Sequence, residues 1–125
     1  SAASDVYKRQ MRKETYKIAK AFSHGLSARG ARTETDGTHV WLHGNLIAWR
    51  KPGGTICFSL AGWPTVTTRE RLNGLLIILG YGAEFGVYQR KGRQWLCRVG
   101  MDDIEIGDDE VFTTDCLNMY RRDAA

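Results

Sequence analysis

Apolar and polar positions alternate along this chain with two different periods. Between residues 13 and 26, Ile18, Ala21, Phe22 and Leu26 recur at helical spacing, with Lys17 and Lys20 off that stripe. A second helix is predicted from Leu72, Leu75, Leu76 and Leu79. Thr67 with Glu70 three residues on has the form of a capping box at its start, and Gly80 stands where a C-terminal cap is expected. Between the helices the period falls to two. Asp36-Gly37, Gly44-Asn45 and Pro52-Gly53-Gly54 punctuate short runs of β-formers, which predicts strands over about 32–36, 38–43, 46–51 and 55–60.

The alternation assigns faces. Val40 and Leu42 oppose His39, Trp41 and His43; Leu46 and Ala48 oppose Ile47 and Trp49; Ile56, Phe58 and Leu60 oppose Thr55, Cys57 and Ser59. FGVYQR and QWLCRV, joined across Lys91-Gly92, read as a further hairpin, and DIEI as a last short strand. The expected fold class is α+β: an antiparallel sheet of short hairpin-connected strands with two helices packed on one face. Residues 11–115 are expected to form a single globular domain, 116–125 a frayed tail, and 1–10 a leader foreign to the native chain, because Met11 opens directly into the first helix.

Charge changes this picture more than composition does. The hydrophobic share is 42%, ordinary for a globular domain, and no apolar run reaches the ~20 residues of a membrane span. The net charge is +4, but residues 102–110, DDIEIGDDE, hold six acids and no base. The remainder carries 18 basic against 8 acidic residues, which suits a polyanion partner. The acidic segment is expected to be a solvated loop. Cys57, Cys97 and Cys116 are odd in number and widely spaced, which argues against a disulfide framework and for a reducing compartment.

Candidate chemistry is sparse. His39 and His43, four apart on a strand, make half of a metal site at most, and zinc needs three or four ligands. The acids of 102–110 lack the spacing of a calcium loop, and no Gly-rich phosphate loop or GxSxG serine is present. No cofactor, metal or catalytic residue is therefore expected; a small hydrolase using the 102–110 acids is the weakest reading. The basic turn YQRKGRQW, residues 88–95, is richer. Arg90, Lys91 and Arg93 could meet phosphates there, with Tyr88 or Trp95 stacking on unpaired bases. Arg69, Arg71 and Asn73, off the leucine stripe of the second helix, extend that candidate nucleic-acid surface.

TDGTHVWLHGNLIAW followed by SLAGWPTVTTRERLNGLL resembles a class of small accessory proteins of tailed bacteriophages that share TDG, LHGN-x-IA and GW-x-T-x-TT-x-x-RLN in that order. The likeness spans residues 13–98 and brings no activity with it. It implies phage or prophage origin and an accessory role inside the infected bacterial cell; with the cysteine pattern and the lack of a membrane-length apolar run, a cytoplasmic protein with no membrane partner is expected. Two functions are then expected in order: non-enzymatic binding of DNA or RNA, or inhibition of a host enzyme or defence complex. In the second, Trp41, Trp49 and Trp63 would serve as interface anchors.

Overall fold

The computed structural model describes residues 11–124. The expected leader, residues 1–10, lies outside the described residues. Three helices and two antiparallel sheets make an α+β domain. The elements in chain order are α1 (Lys13–Ser23), β1 (Ala28–Arg29), β2 (Thr33–Thr35), β3 (His39–Leu42), β4 (Asn45–Arg50), β5 (Ile56–Ser59), α2 (Val66–Ile78), β6 (Phe85–Arg90), β7 (Arg93–Arg98), β8 (Ile104–Ile106), β9 (Val111–Thr113) and α3 (Thr114–Ala124).

The strands form two sheets. The larger runs β1-β2-β3-β4-β5-β9 and the smaller β6-β7-β8. Helices α1 and α2 pack together over the larger sheet. Ile18 and Phe22 of α1 and Leu72, Leu75 and Leu76 of α2 meet Val40, Leu42, Ile47, Ala48 and Phe58 in one core. Val87, Leu96 and Ile106 of the smaller sheet belong to the same core, so both sheets share one interior.

Four local expectations give way to the geometry. Helix α1 stops at Ser23, because Gly25 at φ 70 turns the chain and its N–H reaches the Phe22 carbonyl. The Leu26 N–H closes the motif on Ala21, and Leu26 itself is exposed. The turn after β3 is His43-Gly44, at φ 51 and 80, one residue earlier than Gly44-Asn45. A bulge between Val40 and Trp41 then lets both Ile47 and Ala48 reach the core and leaves Leu46 opposite Trp41. The cap of α2 is Thr65, whose hydroxyl accepts from the Thr68 N–H at 3.1 Å; Thr67 and Glu70 do not form the box.

The C-terminal segment is ordered rather than frayed. Strand β9 pairs with β5, stacking Phe112 on Phe58 at 5.2 Å, and α3 buries Leu117 in the core. Tyr81, Phe85 and Tyr120 form an aromatic cluster beneath it.

Candidate functional site

The segment GWPTVTTRERLN enters α2 through a tight turn. Ala61 and Gly62 sit at φ 56 and 79, and the Trp63 N–H returns to the Leu60 carbonyl at 2.9 Å. The turn swings Trp63 outward, where it is 57% exposed. Behind the indole lies a groove of about 480 Å³ whose floor includes Leu42, Ile47 and Leu60. Its rim carries His43, Asn45 and Thr67, and no Asp, Glu, Lys or Arg lines it.

The first turn of α2 is a ridge. Thr65, Thr67 and Thr68 face the tryptophan groove, while Val66, Arg69 and Glu70 line a second groove of about 560 Å³ shared with Met11, Tyr88 and Gln89. Arg69 spans the base of that ridge. Its Nη1 donates to the Pro64 carbonyl at 2.9 Å and to the side-chain oxygens of Gln89 and Gln94 at 3.0 Å. All three acceptors are neutral, so the guanidinium keeps its charge uncompensated.

Two neighbours of Arg69 have their side chains engaged within the fold. Arg71, expected off the leucine stripe and free, is 3% exposed. Its Nη2 donates to Glu14 at 2.7 Å, its Nη1 to Glu70 and to Thr15, and its Nε to Thr33 at 2.8 Å. Asn73 clamps α2 to the edge of β6, accepting from the Val87 N–H at 2.7 Å and donating to its carbonyl at 2.9 Å. Both side chains are spent inside the fold. The outer-face assignment failed because the elements that cover them, α1 and β6, are distant in sequence.

Burial pushes the Glu14 carboxyl up. Hydrogen bonds from Thr33, Arg71 and the N–H groups of Arg32 and Ala31 outweigh it and hold the group at about 2. Asp36 of the TDG turn is held low chiefly by the N–H groups of Thr38 and His39. TDG is therefore a self-capped loop.

The basic hairpin is present but partly neutralised. Tyr88 and Trp95 pair across β6 and β7, and Arg90 with Arg93. The acidic segment is not a free loop: β8 pairs with β7 and sets Glu105 opposite Trp95. Arg93 reaches Glu105 at 3.4 Å, and the Tyr88 hydroxyl donates to Asp103. Arg90 lies over the Trp95 ring at 4.7 Å and covers one of its faces, and the Trp95 indole N–H is buried. Lys91 alone of the three cations has no partner among the described residues. Arg69 touches the inner side of this ribbon through Gln89 and Gln94, while Arg90 and Arg93 project from the other side.

Trp41 and Trp49 are half-buried on the face of the sheet turned away from Val40 and Ala48. Trp41 stacks on His39 at 5.3 Å, and His39 in turn meets Asp36 at 3.1 Å. His43 occupies the turn and does not share that face. Among the described residues no group of three or more His, Cys, Asp or Glu side chains is placed to hold a metal ion, and none of the helices is long and apolar enough to cross a membrane.

Helix α1 carries a second cationic surface. Lys13, Lys17 and Lys20 are spaced by four and three, within about 60° of one another around the helix, and all are exposed. They stand opposite the buried Thr15, Ile18, Ala19 and Phe22. The spacing itself was the signal, and Arg12 adds a fourth exposed cation at the N-terminus. Lys17 donates to the Arg29 carbonyl at 2.7 Å and the Arg12 backbone N–H to Glu70 at 3.3 Å, but none of the four cationic side chains pairs with a carboxylate among the described residues.

These features define a small α+β domain with a cationic helix face and an open aromatic groove. The family model described as Kyanoviridae Gp96 protein matches residues 11–120. The chain belongs to that family and is a bacteriophage protein. The match runs through the acidic strand β8 and most of α3, beyond the stretch that carries the motif likeness. No curated protein and no solved structure matches the chain.

Proposed function

We propose that this phage protein is a non-enzymatic binder of nucleic acid, held first by the lysine face of α1. The supporting observation is the run of Arg12, Lys13, Lys17 and Lys20, exposed and unopposed by any carboxylate side chain among the described residues. Cations in such an array gain from counterion release along a phosphate backbone. Arg69 and Lys91 are further cations whose side chains no carboxylate pairs among the described residues. Arg90 and Arg93 contribute less than their sequence suggests, because Trp95 and Glu105 already engage them. The host-inhibitor reading retains Trp63 as its most exposed anchor.

Fluorescence anisotropy with labelled single- and double-stranded oligonucleotides tests the reading. Binding is expected at low salt and should fall steeply as salt rises. A Lys13→Gln, Lys17→Gln, Lys20→Gln variant should lose affinity by tenfold or more and flatten the log–log salt slope by about 2 to 3. All three lysines are exposed and, among the described residues, only Lys17 holds a contact across the fold, to the Arg29 carbonyl, so circular dichroism of the variant should match that of the unmodified protein. Absence of binding at low salt, or an unchanged slope in the variant, rejects the reading.

A further inference from the structure

We infer that the groove behind Trp63 is a nucleobase site, in which one unstacked base of a single strand lies against the indole; this rests on the nucleic-acid reading above. The shape comes first. A groove of about 480 Å³ with one open aromatic wall and an aliphatic floor accepts a flat ring. Trp63 has the exposure that stacking requires, whereas Trp95 has Arg90 against its ring.

The rim narrows the class of ligand. The side chains of His43, Asn45 and Thr67 make no hydrogen bond within the described residues, yet all three line this one groove. A purely apolar occupant, such as a leucine or phenylalanine of a partner protein, would strip water from these groups and return nothing. A heterocycle with donors and acceptors around its edge satisfies them. Charge adds a direction. No Asp, Glu, Lys or Arg lines the groove, Arg69 stands on the far side of the α2 ridge, and the acidic loop 107–110 is tied to Gly62, next to Trp63 in the chain, by the Gly62 N–H to Asp108 carbonyl bond of 2.8 Å. The base enters the groove and the phosphates run toward Arg69, whose Nε and Nη2 make no hydrogen bond among the described residues.

The test compares a ten-residue oligothymidylate with an abasic deoxyribose-phosphate strand of equal length, using the full chain. For the unmodified protein, removing the bases should weaken binding by about tenfold or more. For Trp63→Ala the two strands should bind alike, and Asn45→Ala should fall between them. Salt slopes should match across all three proteins, because no phosphate contact is altered. If the unmodified protein binds both strands equally, the groove holds no base and the lysine face still stands. If neither strand binds at low salt, both proposals fall. If Trp63→Ala binds both strands as the unmodified protein does but loses a host protein, the groove belongs to a protein partner and the base site is overturned.

Discussion

Arg71 is the side chain on which the most other groups depend. It sits 3% exposed between Glu14 and Glu70 and also satisfies Thr15 and Thr33. Removing one member of such a buried set leaves the others charged and unpaired. Arg71→Met should therefore cost about 3–5 kcal/mol in urea unfolding. Arg71→Lys should not rescue it, since a single ammonium cannot replace a fork that donates in three directions. The same network sets an acid limit. Glu14 lies at about 2 in the fold against an ordinary 4.5, so its contribution is complete above pH 4.5 and is lost as pH falls toward 2. Unfolding midpoints followed across that window should drop by the equivalent of about 3 kcal/mol, and Glu14→Gln should remove most of the slope.

At the level of elements, the hairpin loops carry the geometry. Gly37, at φ 92, lies so close to the Gly25 backbone that a Cβ would come within 2.4 Å of the Gly25 carbonyl oxygen. Arg50 ties the same loop down, donating to the Gly37 carbonyl at 2.6 Å and the Phe22 carbonyl at 3.0 Å. Gly37→Ala should lower the thermal midpoint by several degrees, through both strain and the clash with the turn that ends α1. Gly44→Ala, where nothing lies within 4 Å, should cost only the strain of its positive φ. The Asp36-Gly37 signal was legible because Asp36 caps its own turn. The bulge at Val40/Trp41 was not, because a one-residue slip depends on how β4 meets the core rather than on either strand alone. The C-terminal helix was missed for a related reason: TDCLNMYRRDA has few apolar residues, and it is docked by Leu117 and by Arg121 over Tyr81.

Across the whole molecule, charge and aromatic exposure are distributed differently from their distribution in the sequence. The basic turn 88–95 and the acidic run 102–110, six residues apart in sequence, fold into one small sheet and partly cancel. The unpaired charge lies instead on α1, where the lysines are spread three and four apart in sequence and form no cluster. The α+β class and the coupling of helices to one sheet face followed from the two periods. The site was only half legible. Trp63, expected as an interface anchor, and Arg69, expected on a nucleic-acid surface, stand on either side of the α2 ridge. Asn73 and Arg71 were drawn in with them by proximity in sequence, though packing spends both elsewhere.

The buried arginine has a consequence for how this protein can drift. Glu14, Thr15, Thr33, Glu70 and Arg71 come from three elements and share one closed set of donors and acceptors. A change at any one of them strands the rest, so the five positions form a single heritable unit. Among descendants of this chain they should persist together or be replaced together, while Lys13 and Lys20 of α1, exposed and tied to no other element among the described residues, remain free to exchange one at a time.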